Sequence, residues 1–548
     1  MPNHELNQLA ADYLRAHCDR HPHEAVWLGF HEYDGRLPDL SRAALAAQAA
    51  DLRRFLGDLE RIDPDDLDDL AWLDWQVLHH QAALEGFVLE DWQRWQQDPL
   101  FYLEPLDVSN YIVRNYAPLE TRVRALIAHL NGIPSVLAAM RENLTQASRP
   151  LVQLGVRVAQ GSVEFLATDL PQMLAGLTDR ALRARFDAAN RQAIAALEEA
   201  AAWLEHDLAP RADADFALGP QRFLRMLRVG EGIDLSLERL RQIAEADLAR
   251  NKAACLEAAA QVGQGRDVRE VIAEGVHRHP APEALVAETQ RIVEEVRRVV
   301  IERGVVSVPY DENCIVAPTP PFLRFAFAMM YDTGPFEQVA REAYFYVTPP
   351  EPSWPAEKVE EWMTNFNYGV LWTTCVHEAW PGHYLHGLHQ RNAPSLLTKA
   401  FWFNTTTEGW AHYCEQMMLE VTGRVNDPWA RIGQLCDALV RNVRFLAALG
   451  LHAAGMTVEQ ATQRFVEDAF MEPATAEEEA LRGTGDPQYL AYTLGKLMLL
   501  KLRADLQERE GQNFNLRAFH DRFLAYGVPP LPVLRALLVG RHEGGEIL

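Results

Sequence analysis

Residues 377–383 read His-Glu-Ala-Trp-Pro-Gly-His, the zinc-hydrolase pattern H-E-x-x-H with two residues too many. In the regular motif the histidines are four apart, about 40° out of phase on a helix, so they share a face. Both can then bind one zinc while the adjacent glutamate reaches the water it carries. His377 and His383 are six apart, about 240° on an ideal helix, and would point away from each other. The inserted pair changes this. Pro381 lacks the N–H that would bond back to His377, and its ring crowds that turn. Gly382 tolerates backbone angles closed to other residues. Together they favour a local unwinding, and a two-residue bulge would return His383 to the face of His377.

A metal site needs a third ligand. Downstream, residues 405–420 read TTTEGWAHYCEQMMLE, with Thr405, Thr406 and Thr407 as candidate N-caps. Glu408, His412 and Glu415 are spaced by four and three, so one helix face carries carboxylate, imidazole and carboxylate. A solvated polar face is the plain alternative. Against it, Phe401, Trp402, Phe403, Trp410 and Tyr413 surround these groups, where an unpaired charge is costly.

HExxPGH followed by EGWAxYxE resembles the large, mostly bacterial domain-of-unknown-function family 885, over nearly the whole chain. That family is similar to helical zinc peptidases of the carboxypeptidase Taq and thimet oligopeptidase type, which are gluzincin-like. Dipeptidyl peptidase III also binds zinc through a stretched H-E-x-x-H. The resemblance implies one Zn²⁺ per chain, held by His377, His383 and Glu408, with Glu378 as general base. His386 stands where the family often has Gln, and is either a substrate contact or a replacement ligand for His383. RFLAALGLHAAGMT (444–457) resembles a family stretch R-x-x-x-D-x-G-x-H; Arg444, Gly450 and His452 match, and Ala448 replaces the acid. DPQYLAYTLGKLMLLKLR (486–503) resembles P-G-Q-A-L-S-Y-x-x-G ending in Leu-Arg, with Gln488, Leu490, Tyr492, Gly495 and Arg503 matching. In related peptidases a tyrosine placed like Tyr492 donates to the developing oxyanion; a core tyrosine is the competing reading. Arg444, His452 and His386 are therefore candidate substrate-binding residues, and Glu378 and Tyr492 the catalytic ones.

Outward from the motifs, the chain changes character twice. From Glu5 to about Val300 stretches such as RAALAAQAADLRRFLGDLERI and PEALVAETQRIVEEVRRVVIERG carry apolar residues at three- and four-residue spacing and are rich in strong helix formers. From Gly304, the segments GVVSVPY, CIVAP, FLRFAFAMMY and EAYFYVTPP are short, β-branched or aromatic, and read as strands. Helical patterning resumes near Val359. The expectation is a mainly α, two-lobed, zincin-like metallopeptidase architecture with a small sheet before the metal motif. Residues 1–300 would form a helical lobe and 301–548 a catalytic lobe, integrated across a cleft. Glu274-Gly-Val-His277, the lone E-x-x-H, is weak as a di-metal motif, which needs two. The following His277-Arg-His279-Pro looks like a helix exit.

The chain has 548 residues, too many for one compact core. Its 52 basic and 77 acidic residues give a net charge of −25. Such a surface repels phosphate backbones and anionic lipid, so neither nucleic acid nor membrane is expected as a partner. Six scattered cysteines without a C-x-x-C pair, and an N-terminus without an apolar h-region, predict a cytoplasmic protein. The expected function is zinc-assisted hydrolysis of a peptide or other small amide. The alternatives are a non-peptide amide or ester metallohydrolase, and a helical binding protein whose metal is structural or whose activity is lost. A structural site would add a fourth ligand, His412 or His386, where a catalytic one leaves water.

Overall fold

The computed structural model describes residues 2–320, 324, 327–543 and 547–548. The fold is mainly α-helical with one three-stranded sheet. Contacts divide the chain into two compact units: residues 1–218 with 333–341, and residues 219–332 with 342–548. The change of sequence character at Gly304 falls inside the second unit.

In the first unit, Leu119–Asn143, Arg149–Met173 and Arg180–Ala202 pack together, as their periodic apolar faces require. Leu119–Asn143 is long and apolar enough to cross a bilayer by composition, yet half of that stretch is buried within the fold. The 333–341 segment belongs to this unit because Leu28 carbonyl accepts from Phe336 N–H (3.1 Å) and His31 Nε2 lies 2.9 Å from Glu337.

In the second unit, β1 (Ile315–Pro318) runs parallel to the central β3 (Tyr344–Val347), and β2 (Ala328–Tyr331) pairs antiparallel on its other side. CIVAP and EAYFYVTPP thus contribute the predicted strands. Residues 322–323 and 325–326 of FLRFAFAMMY lie outside the described residues; its AMMY end is β2. GVVSVPY is not a strand, which corrects the sequence reading. Its polar groups are taken by the Leu516–Leu524 helix instead: Ser307 N–H and hydroxyl donate to Asp521 (2.7 and 2.6 Å), and Val305 carbonyl accepts from His520. With those groups satisfied, nothing drives pairing to the sheet.

Candidate metal centre

Five helices carry the site, and two glycine pairs set the spacing of four of them. Asn404–Thr422 crosses Ala491–Glu510 at Gly409 and Gly495, so closely that a Cβ on Gly495 would sit 2.0 Å from Thr405 carbonyl oxygen. Tyr368–Glu378 crosses Pro428–Ala453 at Gly369 and Gly433, where a Cβ on Gly433 would sit 2.5 Å from Gly369 Cα. Only hydrogen side chains let these backbones approach so far, and the approach aligns Glu408, Tyr492 and His377.

The HEAWPGH segment is an interruption between two helices, not a bulge within one. Tyr368–Glu378 ends at the motif glutamate, and His383–Gln390 begins at the second histidine. Between them the Trp380–Pro381 bond is cis, and Gly382 N–H donates back to Val376 carbonyl (3.0 Å). A Cβ on Gly382 would lie 1.8 Å from His377 carbonyl oxygen, so this return admits only glycine. Trp410 Nε1 pins the turn by donating to Pro381 carbonyl (2.8 Å). The result places the His377 and His383 rings edge to face, 4.7 Å between centres.

Both Nε2 atoms lie 3.5 Å from one atom, Glu408 Oε2. One ligand atom from each residue fits within 4.8 Å of the others. Two donors held about 2.1 Å from a tetrahedral zinc are themselves about 3.4 Å apart, so the spacing suits that ion. Glu408 Oε2 is buried and, among the described residues, has no hydrogen-bond partner. A buried carboxylate oxygen left so is expensive unless a cation sits before it. The residues present therefore fit a bound zinc.

Behind His377 stands Glu415. Its Oε1 is 2.7 Å from His377 Nδ1 and 3.2 Å from Arg441, and its Oε2 is 2.9 Å from His412 Nδ1. Burial pushes the Glu415 carboxyl up, but Arg441 and His412 outweigh it and hold it well below the usual range. It therefore accepts Nδ1–H of His377 and turns Nε2 toward Glu408. Burial works against a charged His377, yet Glu408 and Glu415 raise its pKa to about 9. Burial likewise opposes the Glu408 charge, and His383 with His377 keep it well below 4.5. Glu378 Oε2 accepts from Met330 N–H of β2 (2.9 Å), so the sheet orients the motif glutamate. The Tyr492 ring centre is 6.5 Å from that of His377, and among the described residues its hydroxyl has no hydrogen-bond partner.

A sequence model of bacterial proteins of unknown function, DUF885, matches residues 22–538. The chain belongs to this family. No curated protein matches it. Two solved structures share the fold of this DUF885 protein. One, from Shewanella oneidensis, is described as "a putative lipoprotein of unknown function"; it is 24% identical, with a TM-score of 0.81 over 97% of this chain and 99% of that one. The other, a "putative lipoprotein" from Colwellia psychrerythraea, is 20% identical, with a TM-score of 0.78 over 97% and 98%.

Of the residues singled out from the DUF885 sequence, His377, His383 and Glu408 gather here with the Tyr492 ring beside His377, while Glu378 follows His377 directly in the chain and is held by Met330 N–H. Arg444 is adjacent, its guanidinium carbon 5.4 Å from the Tyr492 ring centre, but it is bound in bidentate fashion by Glu479 (2.7 and 2.8 Å). His386 is elsewhere: buried, Nε2 3.4 Å from Gly527 carbonyl, and not among the clustered ligand atoms. His452 is also outside, with Nε2 2.8 Å from Gly483 carbonyl and its ring stacked on Phe223. It lies eleven residues past Arg441 on one helix, about 16 Å along the axis. The threonine caps are likewise corrected. Asn404–Thr422 starts after Phe403, and buried Glu231 accepts from Asn404 N–H (3.0 Å), Thr405 N–H (3.3 Å) and the Thr405 hydroxyl (2.6 Å). Sequence reading missed Arg441 and Glu231. Arg441 shares a helix face with Arg444 three residues on, a signal that was available; Glu231, distant in sequence, left none.

Proposed function

We propose that the protein is a zinc-dependent hydrolase acting on peptides. One observation carries this: the buried Glu408 Oε2, without a hydrogen-bond partner among the described residues, faces two imidazole Nε2 atoms at equal distances. His377, His383 and Glu408 would hold the ion, which when bound supplies Lewis acidity for polarising a carbonyl and activating water. Glu378 takes and returns the proton, with one carboxylate oxygen anchored on Met330 N–H. Tyr492, its hydroxyl uncommitted among the described residues, donates to the charge that develops on the carbonyl oxygen. The cations of Arg441 and Arg444, 5.7 and 5.4 Å from the Tyr492 ring centre, favour that charge. Neither His412 nor His386 joins the ligand cluster, which supports a site with an open position over a closed structural one. The peptide preference rests on the family resemblance, and a panel of esters and non-peptide amides tests the alternative. All six cysteines are free thiols, in keeping with a cytoplasmic protein, whereas the descriptions of the two structural relatives suggest an anchored one; cell fractionation decides between them.

The test separates binding from chemistry. Wild type and Glu378→Gln should each retain the zinc of this site, and His377→Ala should lose it. Only wild type should cleave a peptide library. Equal zinc in wild type and His377→Ala removes the site; normal cleavage by Glu378→Gln removes the base.

A further inference from the structure

The Val268–Val276 helix runs into His277-Arg278-His279-Pro280. Glu274 is not turned toward these histidines; it pairs with Arg266 at 2.6 Å. Both imidazoles converge instead on one oxygen of Glu360, in the Ala356–Met363 helix: His277 Nδ1 at 2.7 Å and His279 Nε2 at 3.2 Å. One ligand atom from each of the three residues fits within 4.8 Å of the others. The other nitrogen of His279, Nδ1, lies 2.9 Å from Pro280 carbonyl, which can only accept. That nitrogen therefore carries a proton. A neutral His279 would then set its Nε2 lone pair against a carboxylate oxygen, a conflict that a cation between them removes. A backbone carbonyl holding the far nitrogen is also how metal-ligating histidines are commonly oriented.

We propose that His277, His279 and Glu360 form a second, solvent-open site for a divalent cation of the zinc, nickel or copper class. Two imidazoles and a carboxylate are the donor set those ions prefer, and three protein ligands leave the remaining positions to water. Side chains of His277 and Glu360 are 58% and 52% exposed, so an ion reaches the site from solvent. Arg278, between the two histidines, links it to the first site. Its carbonyl accepts from Tyr368 N–H (2.9 Å), the first residue of the helix that ends in His377 and Glu378. Its guanidinium carbon lies 4.5 Å from the Trp429 ring centre. An ion joining the 277–280 turn to Glu360 therefore tethers the start of the Tyr368–Glu378 helix. This inference does not rest on the hydrolase reading, since its test reads zinc binding and amide exchange and no activity.

The full chain is stripped of metal and dialysed against buffered zinc, and wild type is compared with His277→Ala/His279→Ala. Wild type should bind one more zinc per chain than the double variant. Amide exchange at Tyr368 should slow more on adding zinc to wild type than to the double variant, which keeps the first site. Glu360→Gln, which keeps both histidines, should lower affinity for the extra ion at least tenfold. Equal zinc content in wild type and double variant overturns the site. Extra zinc without this additional slowing at Tyr368 overturns the tether. The substituted side chains of His277 and Glu360 are exposed, and circular dichroism of each variant verifies the fold.

Discussion

At the scale of single residues, the decisive feature is a buried carboxylate oxygen that has no hydrogen-bond partner among the described residues. Glu408 Oε2 and the two Nε2 atoms face one another across a gap of donor–donor size, while Glu415 holds the back of His377. Tyr492 is the residue whose two readings differ most in consequence. A packed tyrosine has its hydroxyl satisfied; this one has no partner among the described residues, and burial first, then Glu408, raises its pKa to about 12. It therefore stays protonated and able to donate. Tyr492→Phe keeps the ring and removes that donor. Loss of such a donor costs about 10²–10³ in kcat, and with no hydrogen bond to lose, Tm should not move. Unchanged kcat together with a lower Tm would return Tyr492 to a packing role.

At the scale of elements, helix spacing and helix capping both depend on partners distant in sequence. Gly495→Ala drives a methyl into Thr405 carbonyl oxygen and Gly409 Cα. The two helices must part, so stability should fall by about 3 kcal/mol in denaturant titration. Glu408 and Tyr492 separate with them, so zinc affinity should fall too; a variant as stable as wild type would show that the crossing is not tight. Glu231 makes a second, pH-dependent case. Burial pushes its pKa up from 4.5 to about 7, even against the hydrogen bonds from Thr405 and Asn404. Between those values the folded chain holds a proton that the unfolded chain has released, so stability falls as pH rises through this window. The loss amounts to about 3 kcal/mol above pH 7. Glu231→Gln removes the charge and keeps one of the two acceptor oxygens. Its Tm should fall less than that of wild type between pH 4.5 and pH 8; parallel Tm profiles would refute the assignment.

At the scale of the whole molecule, both candidate metal sites lie in the unit of residues 219–332 and 342–548. An ion that binds the folded state alone stabilises what it binds, by about 2.7 kcal/mol at a hundredfold excess over Kd. Zinc should therefore slow amide exchange in the core helices of that unit, Asn404–Thr422 and Pro428–Ala453 first. It should leave Leu119–Asn143 and Arg180–Ala202 of the other unit unchanged. Equal slowing in both units would mean that they unfold as one; none in either would remove strong binding.

The amino-acid sequence by itself determined what is local. Periodic apolar positions specified the helices at 42–59, 180–202 and 285–302, and Pro381-Gly382 specified the break, because helix propensity and backbone freedom belong to short stretches. The 408–412–415 face was legible for the same reason. Tertiary structure alone decided how that face is divided: Glu408 toward His377 and His383, Glu415 behind His377, His412 turned to Glu415. It also withheld a strand at 304–310, left His386 and His452 outside the ligand cluster, and supplied the helix cap from Glu231. Each of these outcomes is a choice of hydrogen-bond partner. Such a choice depends on which backbones can approach, here through Gly409 against Gly495 and Gly369 against Gly433, and residues so far apart in the chain leave no periodic trace of their meeting.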